Sequence, residues 1–196
     1  RKTTTVLSSN TTFRLIHLGL FSKKRGWPQI LQSLSLMKNK NLEFTAIGEI
    51  NDGSLPDFLK MVKDLGLSNR VNFLDWMPYD EVLNYLIDSD IGIIAFQPHI
   101  LNHVYAMPHK MFDYMASNLA VILPNFAEEV SPIIEEENCG ILVDTSSPAE
   151  ISSALDELLY NPRKLRAMGS NGKEAIKNSY NWERESQKLI EMYRSL

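Results

Sequence analysis

The sequence predicts an α/β fold: a doubly wound, Rossmann-like parallel sheet of about six strands, with helices on both faces and further helices at the C-terminus. Two features of the 196 residues predict it. Six short apolar runs alternate with segments whose apolar residues recur every three or four positions, which is typical of strands that alternate with helices. Parallel neighbours need such crossover helices, and right-handed crossovers place helices on both faces of the sheet.

Each strand is expected where a short apolar run ends at a glycine or a polar loop. The run at 91–96 is nearly uninterrupted, as expected for a strand that is buried on both faces. Residues 1–12 are rich in Thr, Ser and Asn, so a tail or linker is expected there, before one domain at 13–196. The predicted strands are 13–18, 42–47, 71–74, 91–96, 120–123 and 141–143.

Helices are expected between these strands and after the last one. Pro28 suits the first turn of a helix, where the missing amide hydrogen has no partner to lose. Gly66 is placed to close the second helix, and a loop with two prolines is expected at 97–108. The predicted helices are 28–37, 55–65, 79–87, 109–117, 130–136, 148–160, 162–178 and 182–196.

Composition excludes some classes of function. The net charge is −4, so the chain is a poor candidate for binding nucleic acid, which requires a basic face. The sequence contains no run of 18 or more apolar residues, which is the length that a membrane-spanning helix needs, so no such helix is expected. The single cysteine, Cys139, forms no disulfide within the chain and is expected to be a small buried hydrophobe. The chain begins at Arg1 rather than at Met, which suggests a fragment.

Ligands of open α/β sheets bind at the carboxyl ends of the strands. The loops expected at that edge are 19–27, 48–54, 75–79, 97–110, 124–129 and 144–148. The first of them carries two glycines, Gly19 and Gly26, and the three adjacent cations Lys23, Lys24 and Arg25. Glycine permits close backbone approach, and guanidinium groups and helix N-terminal amides attract phosphate, so a diphosphate cradle is one interpretation. A solvated basic turn is the other.

The segment that follows Pro108 is the second candidate. Lys110 lies in the first turn of a predicted helix, beside the positive end of the helix dipole, which is unfavourable unless an anion binds there. Asp113 lies one turn further on and could accept two hydrogen bonds from a ribose diol. Either residue could instead be an ordinary surface charge.

The four histidines do not suggest a metal site, because none is paired with cysteines or acids at ligand spacing. His17 lies within a predicted strand and is expected to be a hydrogen-bonded core residue. His99 and His103 lie in the loop near the proposed site, where a plain loop role is favoured over a ligand contact. There is no Asp-x-Asp motif, so no metal is expected.

The run at 107–122 resembles the Pro-x-Lys-x-Phe-Glu-Tyr-Met-Ala-x-Gly-x-Pro-Val-Ile signature of family 4 glycosyltransferases, which have the GT-B fold. Weaker similarities follow the same order along the chain, at 67–77, 89–96, 138–144 and 181–183. The resemblance covers nearly the whole chain. It implies that the chain is the C-terminal, donor-binding half of a GT-B enzyme whose N-terminal acceptor domain is absent here.

The resemblance also implies roles for particular residues. Asp113 takes the position of the acid that holds the donor ribose. Gly19 and Arg25 take the positions of a glycine and a lysine in the diphosphate loop. Met107 supplies backbone near the donor sugar or phosphate, and Tyr105 stands where many relatives carry a second glutamate. Arg25 and Lys110 are therefore the candidate catalytic residues, stabilising the leaving diphosphate.

Three departures from the family pattern stand out. Leu20 occupies the position of the usual diphosphate-binding arginine, Asp113 is one methylene shorter than the usual glutamate, and Asn118 replaces a glycine. Asparagine tolerates the positive φ that a glycine would adopt there.

The resemblance implies a retaining, metal-independent transfer of a sugar from a nucleotide-diphosphate sugar to a glycan or lipid-linked acceptor, as in polysaccharide biosynthesis. No cofactor is expected beyond the donor, and the isolated domain is expected to be inactive alone. A cytoplasmic location is expected, with peripheral membrane association of the full-length protein and self-association through the last helix left open. Two alternatives remain: a nucleotide-sugar epimerase of the same fold, and a non-catalytic nucleotide-binding or assembly module.

Overall fold

The computed structural model describes residues 12–195. Residues 1–11 of the predicted tail lie outside the described residues. Six strands form one parallel sheet in the order β3-β2-β1-β4-β5-β6. This confirms the predicted Rossmann-like fold, and the order reverses between β1 and β4. The strands are β1 (Phe13–Leu18), β2 (Leu42–Ile47), β3 (Val71–Leu74), β4 (Ile91–Ile93), β5 (Ala120–Pro124) and β6 (Gly140–Val143).

The predicted helices are all present, with ends that differ by at most two residues. The structure adds a 3-10 turn at Lys23–Arg25 and a five-residue helix, α4, which has too few residues to show a period in the sequence. The helices are α1 (Trp27–Leu36), α2 (Leu55–Asp64), α3 (Tyr79–Ile87), α4 (Leu101–Tyr105), α5 (His109–Ala116), α6 (Ser131–Glu136), α7 (Pro148–Tyr160), α8 (Pro162–Asn178) and α9 (Trp182–Arg194).

The predicted strand at 91–96 is wrong in its second half, because β4 ends at Ile93. The Ile94 amide still donates to the Ile122 carbonyl, but the chain then leaves the ladder. The Phe96 carbonyl instead accepts a hydrogen bond from the Thr145 hydroxyl. Residues 94–96 are nevertheless buried. The apolar run at 91–96 therefore reflects burial rather than strand pairing.

Two hydrophobic cores lie on opposite faces of the sheet. Successive strand side chains point to opposite faces, so Leu15 belongs to one core and Ile16 to the other. The first core is closed by α1, α2 and α7, and the second by α3, α5 and α6. Burial of both faces explains why most strands read as continuous apolar runs.

Helix α5 is anchored to the sheet through Tyr114. The β1–β4 ladder stops early, so the Leu18 amide, which points toward β4, has no strand partner there. The Tyr114 hydroxyl accepts from that amide at 2.9 Å. The Tyr114 ring lies against Gly92, where a Cβ atom would come within 2.2 Å of it. These contacts hold the N-terminus of α5 above the carboxyl edge of the sheet.

Helix α9 packs loosely on the rest of the domain, and none of its residues is fully buried. Within residues 12–195 no helix is both long and apolar enough to cross a bilayer. The exposed apolar side chains of α9 are Trp182, Leu189, Ile190, Met192 and Tyr193.

The turn before α1 depends on Gly26. Its φ is +82°, and a Cβ atom there would lie 2.1 Å from the Ala95 carbonyl oxygen. We expect Gly26→Ala to lower the free energy of unfolding by about 2–4 kcal/mol, since a backbone clash adds to the left-handed conformation. Gly53→Ala is the matched control, because Gly53 has a similar φ of +75° and no atom within 4 Å of the added methyl. It should lose only about 1 kcal/mol in urea unfolding. Equal losses would contradict the close packing at Gly26.

Candidate functional site

A cleft of about 280 Å³ opens over the carboxyl ends of β1 and β2, and α5 forms one of its walls. This is the edge at which the sequence predicts a ligand site. Most of the lining is apolar, with a lysine and an aspartate as its charged members. The lining residues are Leu18, Gly19, Ile47, Gly48, Trp76, Met77, Tyr79, Val82, Lys110 and Asp113.

Two glycines allow the ends of β1 and β2 to approach each other. Gly48 has a φ of +142°, and a Cβ atom there would lie 2.2 Å from the Gly19 carbonyl oxygen. Gly19 has a φ of +85°, and its Cβ position lies 3.8 Å from the Lys110 Nζ atom. The predicted residues Gly19 and Lys110 are thus brought together, and Gly48 was not singled out from the sequence.

The Lys110 ammonium group is partly buried where α5 meets the end of β1. Its Nζ atom lies 3.3 Å from His17 Nε2. Burial, together with the nearby charge of Arg25, lowers the pKa of Lys110 to about 7. None of the ion pairs formed within residues 12–195 involves Lys110 or Arg25. In the described part of the chain neither cation is therefore paired directly with a carboxylate, although the Asp113 carboxylate lines the same cleft.

Arg25 faces the same site from the 3-10 turn. Its guanidinium carbon lies 5.3 Å from the centroid of the Phe96 ring, and Lys110 Nζ lies 5.9 Å from that centroid. Both are cation–π distances. Burial lowers the pKa of Arg25. Lys23, by contrast, forms an ion pair with Asp57. Of the predicted basic loop, Arg25 lies over the same ring as Lys110, although it is not among the residues that line the cleft, and Lys23 is paired with Asp57.

The first turn of α5 adds partial positive charge. Pro108 is the N-terminal flanking residue of this helix, and no acidic side chain lies in the first turn. Amides at such a terminus have no partner within the helix and attract anions. Lys110 and the helix terminus therefore meet at the cleft, and Arg25 lies beside Lys110 over the Phe96 ring, an arrangement suited to a phosphate or diphosphate group.

Asp113 lies one turn along α5 and lines the same cleft. Its Oδ1 atom accepts a hydrogen bond of 2.7 Å from the Tyr79 hydroxyl. This hydrogen bond is the main cause that raises the pKa of Tyr79 to about 12. Sequence reasoning missed Tyr79, although it lies in one of the edge loops that were expected to carry the site. Among the described residues, no hydrogen bond engages the other carboxylate oxygen of Asp113.

Two predicted residues lie elsewhere. Met107 lines a separate apolar groove of about 560 Å³, together with Phe112, Tyr180 and Trp182. Tyr105, at the end of α4, is more than half exposed and is not among the residues that line the cleft. The structure therefore does not bring either of them to the cations, and their contact with a donor stays a prediction.

Other sequence expectations are confirmed. His17 is a buried, hydrogen-bonded core residue. Asn118 has the positive φ, +69°, that its replacement of a glycine implies. Cys139 is buried, and burial raises the pKa of its thiol to about 11.

His103 differs from a plain loop residue. It is buried, and its ring stacks on Phe96 with 4.3 Å between the ring centroids. Its Nδ1 atom lies within hydrogen-bonding distance of the Gln97 backbone. His103 thus supports the ring over which both cations lie.

Comparison with known proteins identifies a family. The family model described as "Glycosyl transferases group 1" matches residues 5–175. The MMP alpha-(1->4)-mannosyltransferase of Mycolicibacterium hassiacum is 22% identical over 134 residues, which cover 68% of this chain and 31% of that protein. The chain therefore spans about a third of the length of this relative.

Solved structures share the fold. Anabaena Alr3699/HepE in complex with UDP superposes with a TM-score of 0.83 at 16% identity, covering 94% of this chain and 49% of that one. The C-terminal domain of a group 1 glycosyl transferase, LpcC, from Francisella tularensis has a TM-score of 0.74 at 21% identity. That match covers 87% of both chains.

The uncompensated charge at Lys110 leads to a stability prediction. A folded-state pKa of about 7 lies below the usual 10.5, so the folded chain binds this proton less readily than the unfolded chain. The resulting destabilisation is complete below pH 7 and disappears as the pH rises toward 10.5. We expect Lys110→Met to raise the free energy of unfolding by roughly 1–3 kcal/mol at pH 6.5.

The measurement is urea unfolding at pH 6.5 and pH 9.5. The increase in the free energy of unfolding caused by Lys110→Met should be smaller at the higher pH. Lys173→Met is the control, because Lys173 is exposed on α8 and should show no such pH dependence. A gain that is the same at both pH values would show that Lys110 is not destabilised by its charge.

Proposed function

This chain belongs to the group 1 glycosyl transferases, and we propose that it is the donor-binding domain of a retaining, metal-independent enzyme. The enzyme would transfer a sugar from a nucleotide-diphosphate sugar to a glycan or lipid-linked acceptor. One observation carries the proposal: Arg25 and Lys110 lie over the same Phe96 ring without an acidic partner among the described residues. Such a pair suits the diphosphate of a donor.

The chemistry follows from these charges. When the bond between sugar and diphosphate breaks, negative charge develops on the leaving phosphate oxygen. Cations and helix amides that are already in place stabilise this charge without reorganisation. Arg25, Lys110 and the first turn of α5 would supply this stabilisation, so no metal ion or other cofactor is needed in the proposal.

The rest of the cleft suits the nucleoside. Asp113, held by Tyr79, would accept hydrogen bonds from the ribose diol through its free oxygen. The apolar lining near Ile47 and Met77 would cover the base. The HepE protein was solved with UDP and with UDP-glucose, which supports a uridine nucleotide as the first donor to test.

The chain spans only part of its relatives, so the acceptor site is proposed to belong to an N-terminal domain outside this sequence. We expect the isolated domain to bind the donor without transferring the sugar. In this proposal the full-length enzyme works in the cytoplasm on a surface glycan or polysaccharide, with peripheral membrane association. The exposed stripe of α9 would promote self-association of the isolated domain.

One observation favours a second candidate, a nucleotide-binding module without transferase activity. Leu20 takes the place of an arginine in the family's diphosphate loop, and 40% of its surface is exposed. A donor-hydrolysis assay on the full-length protein distinguishes the two candidates, because a binding module releases no nucleotide from the donor.

Calorimetric titration of the chain with UDP, GDP and their common sugar conjugates tests the donor site. We expect saturable binding of one nucleotide. Arg25→Ala and Asp113→Ala should each weaken it by roughly 10- to 150-fold, because each removes a hydrogen bond to a charged group, worth about 1.5–3 kcal/mol.

The controls are Arg166→Ala on α8 and Asp64→Ala at the end of α2, which remove equal charges away from the cleft. Their affinities should stay within about twofold of the unmutated chain. If Arg25→Ala and Asp113→Ala bound the nucleotide as tightly as these controls, the cleft would not be the donor site.

A further inference from the structure

His17 is buried in the middle of the proposed site, although it lines no part of the cleft surface. Its Nδ1 atom lies 3.2 Å from the Ile93 carbonyl oxygen, and its Nε2 atom lies 3.2 Å from the Leu20 carbonyl oxygen. Its ring packs on Phe21, with 4.5 Å between the centroids. The ring therefore has a fixed position, and Nε2 points toward Lys110 Nζ at 3.3 Å.

The charges around Lys110 come from several elements. Arg25 belongs to the 3-10 turn, His103 to α4, and Asp113 to the same helix as Lys110, while Lys24 of the 3-10 turn acts on His103. The Asp113 carboxylate is engaged by Tyr79 rather than by Lys110. The one group within hydrogen-bonding distance of the Lys110 ammonium among the described side chains is His17.

A neutral imidazole affects a lysine differently from a carboxylate. It accepts a hydrogen bond and so fixes the direction of the ammonium, but it leaves the positive charge in place. Burial and the neighbouring Lys110 lower the pKa of His17 well below its ordinary value, so its ring is neutral at pH 7. A glutamate or aspartate here would fix the lysine equally well and cancel the charge.

We propose that His17 is a positioning residue that holds the Lys110 ammonium beside Gly19 without neutralising it, so that the full charge faces the donor diphosphate. The inference rests on the proposed function and adds a residue to that site. It also defines the tautomer of His17. A charged Lys110 needs the Nε2 lone pair, so the ring hydrogen lies on Nδ1 and is donated to the Ile93 carbonyl.

A pH dependence follows. Burial and Arg25 bring the pKa of Lys110 to about 7, so part of the ligand-free protein carries a neutral amine at that pH. A bound diphosphate favours the charged form, so binding takes up a proton. Donor affinity should be constant below pH 7 and then fall by up to tenfold per pH unit above it.

The first experiment uses the ligand-free chain. NMR follows the Lys110 Cε resonance and the two ring nitrogens of His17 between pH 5.5 and 8.5. We expect Lys110 to titrate near pH 7 and His17 to carry its hydrogen on Nδ1 at the acidic end. In Lys110→Met the population of the tautomer with its hydrogen on Nε2 should increase, because Nε2 then donates to the Leu20 carbonyl. An unchanged tautomer in Lys110→Met would overturn the proposed contact.

The second experiment uses UDP-glucose as the probe, because its two esterified phosphates keep constant charge over this pH range. His17→Gln retains an acceptor near the position of Nε2, and His17→Phe keeps a ring but removes the acceptor. We expect His17→Phe to weaken binding roughly tenfold at pH 7 and to move the onset of the pH-dependent loss to lower pH. His17→Gln should restore both values toward those of the unmutated chain.

The outcomes separate the two ideas. A merely structural His17 would change the melting temperature of His17→Phe and leave the onset pH where it was, which would overturn the inference while the donor site stands. If the unmutated chain bound neither UDP-glucose nor any other nucleotide sugar, the proposed function would fail. The ligand-free titration would still decide whether His17 holds Lys110.

Discussion

The structure of the candidate site depends on two cations that share a small, partly buried space without an acidic partner in the described part of the chain. Like charges in such a place repel each other and lose hydration, so the ligand-free domain is less stable than it would be with apolar side chains there. The fold maintains the arrangement through contacts that are independent of charge. Tyr114 anchors α5 to the end of β1, and the Phe96 ring lies beneath both cations.

This arrangement links stability to binding. The free energy that the domain loses by holding Lys110 and Arg25 together is available when an anion binds between them. The glycines at the ends of β1 and β2 have a related role, because their missing Cβ atoms let the backbone and Lys110 approach at distances that a side chain would prevent. In the proposed function the site would therefore be assembled before the donor binds, which favours electrostatic stabilisation over induced closure.

The sequence predicts what depends on local pattern. Strand and helix positions follow from apolar runs and periods, and Lys110 and Asp113 were found because both lie on one helix with a recognisable signature. The contacts that complete the site depend on long-range geometry. Tyr79 is 34 residues from Asp113, and His17 is 93 residues from Lys110, so no local pattern relates them. The end of β4 was mispredicted because burial and strand pairing produce the same apolar run.

The uncharged side chain at position 20 agrees with the electrostatics of the two cations. An arginine at this exposed position would add a third positive charge to the loop that carries Arg25, and each positive charge added nearby lowers the pKa of a lysine further. With the pKa of Lys110 already near 7, another cation would lower further the fraction of Lys110 that is charged at physiological pH. We therefore expect the loss of this arginine to preserve the charge of Lys110, so that two cations remain to face the two phosphates of the donor.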